Sequence, residues 1–185
     1  MLNRWGGWFI LIVLAIATTW LVQSLEEDLL VSEDMASHVA DYTLNDFEST
    51  SMDEHGQLKN RLTAKTMTHY PNANANLTAP DMVFYKEKRP IWTVRAENGE
   101  VSPDGNQIWL LGNTILQRHP ETQQQPLKMI SRDVFVQVNT EYAETAAPST
   151  IYHNNGETKS VGMRIFMPTE QIELLSTVRG HYVHP

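Results

Sequence analysis

Asp81-Met82-Val83-Phe84-Tyr85 and, a few residues on, Trp92-Thr93-Val94-Arg95-Ala96 decide the fold of this chain. Met82 and Phe84 alternate with Val83 and Tyr85, and Trp92, Val94 and Ala96 share a face opposite Thr93 and Arg95. Period-two alternation over segments this short marks half-buried antiparallel strands rather than helices. The same signature recurs outward in both directions. Leu58, Leu62 and Ala64 fall on one face of 56–64, Ile108, Leu110 and Gly112 oppose Trp109, Leu111 and Asn113, and Val134, Val136 and Val138 form a further set. Ile172, Leu174, Ser176 and Val178 form the last. Turn chemistry separates these runs at Asp53-Glu54-His55-Gly56, Pro103-Asp104-Gly105-Asn106, Pro120-Glu121 and His153-Asn154-Asn155-Gly156. Asn155-Gly156 predicts a type I′ hairpin. No amphipathic helix interrupts the pattern, so a β-sandwich or jelly roll is expected.

A weak internal repeat accompanies the strands. Leu110-Leu111-Gly112-Asn113-Thr114-Ile115 and Leu174-Leu175-Ser176-Thr177-Val178-Arg179-Gly180 share an apolar pair, a small residue, a polar residue and then a β-branched residue. Strand units that each expose one apolar face must stack to bury it.

The N-terminus is of another kind. Trp5 to Val22 is an unbroken apolar run, with Arg4 before it and Glu26, Glu27 and Asp28 after it. Eighteen residues at a helical rise of about 1.5 Å span about 27 Å, close to the hydrocarbon thickness of a bilayer. Trp5, Trp8 and Trp20 sit near the two ends, where amphipathic rings favour the headgroup level. Gly6-Gly7 and Ala15-x-Ala17 offer small residues for close helix approach. The positive-inside rule places 1–4 in the cytoplasm and 26–185 across the membrane. A cleaved signal peptide is the competing reading, since Ala15-Ile16-Ala17 resembles a cleavage site; the apolar segment nevertheless continues through Thr18-Thr19-Trp20-Leu21-Val22. The expected organisation is a cytoplasmic tip and transmembrane anchor over 1–25 (Trp5, Gly6, Gly7, Trp8, Trp20 and Val22 in the span), a linker over 26–40, and one β domain over 41–185.

Composition excludes several functions. The chain has no Cys, so disulfides, thiolate metal sites, Cys nucleophiles and lipoprotein attachment are absent. A formal net charge of −8 and the lack of a basic stripe argue against nucleic acid. Of the seven His residues only His181 and His184 are close, and no carboxylate sits beside them at ligand spacing, so no metal site is expected. No nucleophile elbow, phosphate-cradling loop or His-Glu-x-x-His helix occurs. The pairs Glu97/Glu100 and Glu141/Glu144 lack an acid partner or pocket and read as solvated faces. No catalytic residue and no cofactor is expected.

Several segments together resemble the LptC family of lipopolysaccharide-export proteins. They are Gly56-x-Leu58 with Leu62-x-Ala64, Leu77-x-x-Pro80, Trp92-Thr93-Val94-Arg95-Ala96, Leu110-Leu111-Gly112-Asn113, and Gly162-Met163 followed by Leu174-Leu175-x-x-Val178-Arg179-Gly180-x-Tyr182. The N-terminal anchor agrees with it, and His153 departs from it at the hairpin near Tyr152. The resemblance implies a twisted, open jelly roll of antiparallel strands in the periplasm, held to the inner membrane by a single span. It implies as partners lipopolysaccharide, an ABC transporter of LptF and LptG with the LptB ATPase, and the soluble jelly-roll protein LptA. Successive jelly rolls would join edge to edge.

On that basis Leu77, Phe84, Trp92, Val94, Leu110, Val136, Ile172, Leu174 and Tyr182 are expected to line a lipid groove. Tyr42, Leu44 and Phe47 are expected at the edge facing the transporter, and Val178 and Tyr182 at the C-terminal docking edge. Apolar alternation alone fits an ordinary packed sandwich equally well. The rival function is a membrane-anchored periplasmic scaffold with a closed β-sandwich and no lipid cargo. An anchored hydrolase would need a catalytic cluster the sequence lacks. An open apolar slot favours lipid transfer, and a dense interior favours the scaffold.

Overall fold

A computed structural model describes residues 14–23, 40–71, 73–120 and 126–182. It divides into two compact units at Ala40/Asp41. In the first, residues 14–23 are helical, with Trp20 and Val22 exposed. Trp5, Gly6, Gly7 and Trp8 and nearly all of the expected linker lie outside the described residues. Among the described residues no helix is long and apolar enough to cross a membrane.

The second unit is all-β. Its strands are β1 (Tyr42–Met52), β2 (Leu58–His69), β3 (Ala75–Thr78), β4 (Asp81–Lys86), β5 (Arg89–Val101), β6 (Gln107–Arg118), β7 (Leu127–Gln137), β8 (Tyr142–His153), β9 (Gly156–Phe166) and β10 (Gln171–Tyr182). All pairings are antiparallel, and they join the strands into one sheet in chain order. β3 and β4 act as one strand broken at Ala79-Pro80, both pairing β2 on one side and β5 on the other. The connectivity is therefore a meander, without the long crossovers of a Greek-key sandwich. β1 and β10 are the two ends of the sheet.

A row of irregularities crosses the middle of the strands. Asp46, Ala79, Asp133, Thr177, Gly112 and Gly162 have positive φ, and registers shift at Ala96/Asn98, Leu110/Asn113, Ile130/Phe135, Thr145/Pro148 and Ser176/Arg179. Bulges bend strands and raise local twist. In a row, they crease the whole sheet. The inward faces on either side of the crease both belong to one core, which includes Phe84, Trp92, Val94 and Leu116 on one side and Leu77, Leu110, Val136 and Ile165 on the other. Within this unit the described residues form no helix longer than the three-residue turn Met167–Thr169, so the sheet hides its apolar side against itself. One layer holds β4 with 89–96, 114–118, 127–132, 148–153, 156–161 and 178–182; the other holds β3 with 98–101, 107–111, 134–137, 142–145, 163–166 and 171–176.

The crease explains the internal repeat. In both copies the small and polar residues after the apolar pair are the bulge: Gly112 has φ 77° and Thr177 φ 51°. The backbone groups a bulge unpairs find hydroxyls instead. Thr145 Oγ1 donates to the Arg132 carbonyl at 2.8 Å and accepts from the Ala147 N–H at 3.0 Å. Such capping offsets the cost of burying an unpaired backbone group.

One turn differs from expectation. β8 and β9 are joined by Asn154-Asn155, with His153 paired to Gly156, so the hairpin sits one residue earlier than Asn155-Gly156. Neither asparagine has positive φ, which a type I′ turn requires; Gly156 instead has φ 146°. Both central residues are left-handed at Glu87-Lys88, between β4 and β5. That turn carries no Asn-Gly signal because its strands, paired from Lys86↔Arg89 inward, impose it.

Candidate functional site

The inner side of the creased sheet is a trough running across the strands from β1 to β10. Its middle is filled. Phe84, Trp92, Val94 and Val136 are fully buried, and Leu77 and Leu110 nearly so. Ile172 and Leu174 pack half-buried against this core.

Its two ends are open. At the β1 end a cavity of about 310 Å³ enters between the layers, walled by Phe47, Leu62, Met67 and Met82 with Val101, Ile108 and Val138 behind. Cross-strand pairing puts Leu44 beside Met67 and Tyr42 beside His69 on the same inner face, the last pair as stacked rings 4.8 Å apart. At the other end Val178 and Tyr182 follow the inner positions of β10 and stay 52% and 69% exposed. Tyr182 is thus not in the enclosed groove as expected. It lies at the outer end of β10, exposed, its ring 5.3 Å from that of His153.

The residues expected at docking edges lie on the two terminal strands. Tyr42, Leu44 and Phe47 lie on β1 and Val178 and Tyr182 on β10, and among the described residues each of these strands pairs on one side only. A long strand with an unpaired row of N–H and C=O groups invites another strand. β1 and β10 offer such rows at opposite ends of the trough.

Opposite the crease, the rims of the layers are tied. Near β1, Lys59 Nζ donates to the Asn139 carbonyl at 3.0 Å and lies 3.9 Å from Glu141 Oε1. These groups wall a cleft of about 540 Å³ with Asp53, Glu54, Tyr85 and Glu87. Burial pushes the Glu141 carboxyl above the usual carboxylate range, and Lys59 pulls it partly back. Further along, Arg118 Nη1 is 3.6 Å from Glu170 Oε2. No sequence pattern marks these ties, since Lys59 and Asn139 are 80 positions apart. The apolar mouth at β1 was more legible: Leu62 and Met82 already alternate inward in their strands.

Among the described residues no three His, Asp or Glu side chains come together to hold a metal ion. The arrangement presents an apolar interior, two polar rims and two unpaired edges.

That architecture is a creased antiparallel sheet with an apolar interior and a terminal strand at each end. The chain matches the family described as "LptC: Lipopolysaccharide-assembly, LptC-related" over residues 8–183 and belongs to it. Its part in the cell is therefore in lipopolysaccharide transport. The fold is also similar, with a TM-score of 0.45 and 5% identity over 78% of this chain and 94% of the other, to the crystal structure of LptH, the LptA homologous periplasmic component of the conserved lipopolysaccharide transport device from Pseudomonas aeruginosa. No curated protein matches the chain.

Proposed function

We propose that the domain carries lipopolysaccharide along its trough from β1 to β10, between an inner-membrane ABC transporter and a soluble periplasmic partner. The family membership supports the substrate. The observation that carries this reading is the apolar trough open at both ends, each end bordered by a strand paired on one side only. An acyl chain in water costs about 0.8 kcal/mol per methylene, so a lipid with several chains needs a continuous cover. Sugars remain wet at the tied rims while the chains lie between the layers. The LptF and LptG subunits, driven by LptB, deliver lipid at β1, and LptA adds its own strand to β10 by β-augmentation. The segment from Trp5 to Val22 anchors the domain as a single span, with its N-terminus cytoplasmic and the bulk of the chain periplasmic.

The filled middle favours a second reading, the anchored scaffold without lipid cargo. The carrier reading requires the layers to part as lipid enters. Photo-crosslinkers at Phe47, Phe84 and Ile172 separate the two in cells. Capture of lipopolysaccharide at Phe47 and Ile172, and at Phe84 when transport runs, is expected, with none at the outward Arg95. Capture at Arg95 but at none of the inner positions would refute the carrier.

A further inference from the structure

Four small hydroxyl residues run side by side across the inner face of one layer, next to the crease. Thr114 pairs with Ser131 across β6 and β7, and Ser149 pairs with Ser160 across β8 and β9. The two pairs join where the Ser131 and Ser149 Oγ atoms meet at 2.9 Å. All four are at most 5% exposed. The row therefore crosses the strands in the direction of the trough, within an otherwise apolar lining.

Three of its members are satisfied internally. Thr114 donates to the Gly112 carbonyl, Ser131 lies within reach of the Pro148 carbonyl, and Ser149 within reach of that of Ala147. Ser160 differs. Its Oγ is buried and makes no hydrogen bond, although the residue is only 4% exposed. A buried hydroxyl without a partner is costly, and native structures rarely keep one without a use. Its place in the fold suggests the use. Ser160 is one strand from the open end, opposite the bulge of β10 between Ser176 and Arg179. The exposed Val178 belongs to that bulge, and the half-buried Ile172 and Leu174 line the facing layer.

We infer that Ser160 Oγ receives the carbonyl of an acyl linkage, ester or amide, when a lipid lies in the β10 end of the trough. The hydroxyl donates to the carbonyl oxygen while the hydrocarbon beyond it lies on Ile172, Leu174 and Val178. Bare hydrocarbon could not use this group. The row so distinguishes acylated amphiphiles from other apolar molecules at the point of handover. This rests on the carrier reading above.

The test uses the full chain in detergent micelles, with purified lipopolysaccharide as probe and wild type beside Ser160→Ala. One neutral hydrogen bond is lost, so affinity should fall about three- to tenfold. The melting temperature should stay level or rise, because the variant removes an unsatisfied buried group rather than a contact. Weaker binding by a fold no less stable is an outcome that a purely structural hydroxyl would not give. Equal affinity in the two proteins, the result expected if Ser160 merely holds water, would overturn the inference and leave the carrier reading intact. Failure of the wild type to bind lipopolysaccharide would overturn both.

Discussion

The ammonium of Lys59 donates a hydrogen bond to the carbonyl oxygen of Asn139 at 3.0 Å, and this contact fastens one layer of the creased sheet to the other at the rim opposite the crease. Lys59 is the second residue of β2, whereas Asn139 lies in the β7–β8 turn. Their junction is what a lipid must loosen if the layers are to part near β1. Lys59→Met should cost about 1 kcal/mol or less, since the ammonium is partly exposed and charged hydrogen bonds at a rim are screened. The same change should speed lipid loading, read as faster capture at Phe47. Bridging Cys residues placed at 59 and 139 with a short bis-maleimide should stop loading altogether. The absence of natural Cys makes that experiment free of background. Undiminished capture in the bridged protein would show that the rim does not open.

Gly156 holds the last pair of the β9–β10 ladder, opposite Tyr182. A Cβ there would land on the carbonyl oxygen of His181, and backbone cannot step aside as a side-chain tip can. The φ of 146° adds to the difficulty for any L side chain. Gly156→Ala should therefore detach the end of β10 while leaving the core intact, at a cost of about 1–3 kcal/mol. Amide hydrogen exchange at His181 and Tyr182 should accelerate, with protection at Val136 unchanged. Binding of the soluble jelly-roll partner should fall with it. Unaltered protection at His181 would refute the account.

How much of this could be read in the residues depends on the range of the interaction. The alternation of Met82 and Phe84 with Val83 and Tyr85, and of Trp92 and Val94 with Thr93 and Arg95, is local, and it put each set on one face without a structure. The edge residues at Tyr42–Phe47 and at Val178–Tyr182 were expected from the family resemblance, and the chain order of the sheet, which no local pattern showed, puts them on its two terminal strands. The crease was visible only as an odd repeat around Gly112 and Thr177, although in β7 it also moves the buried positions from Met129 and Ser131 to Val134 and Val136. The exposure of Tyr182 was illegible: alternation sets the side of a strand but not whether anything lies opposite. The rim ties and the hydroxyl row join residues distant in sequence, and no single strand announces them.

Glu141 gives the tied rim a dependence on pH. Burial raises its folded-state pKa above the unfolded value, the attraction of Lys59 opposing the shift. A raised carboxylate pKa means that ionisation favours the unfolded chain. The group therefore weakens the fold above its folded pKa and ceases to do so as pH falls through it. Glu141→Gln should then raise the melting temperature at neutral pH, and the gain should shrink as the medium is acidified and the wild-type carboxyl protonates. Thermal melts across that range check the sign. A gain that grows on acidification would mean that the contact with Lys59, 3.9 Å away, outweighs burial.

The crease itself can be probed at Asp133, whose Oδ1 accepts a hydrogen bond from the Gly112 N–H at 2.9 Å. That N–H lies in the β6 bulge, where the register with β7 shifts, so the carboxylate replaces a missing ladder bond. Asp133 is also left-handed, with φ 52°. Asn tolerates this conformation and keeps a carbonyl oxygen in place, whereas Val does neither. Asp133→Asn should change stability by less than about 0.5 kcal/mol, the usual range for a tolerated surface substitution. Asp133→Val should cost about 2–3 kcal/mol, the lost hydrogen bond adding to the backbone strain. If the crease is what brings the layers together, the Val variant should also expose Trp92, seen as a red-shifted, more quenchable fluorescence in a background where Trp5, Trp8, Trp20 and Trp109 are replaced by Phe. Denaturant titrations of the two variants settle the energies. Equal stability for Asn and Val would show that the bulge is held by packing alone.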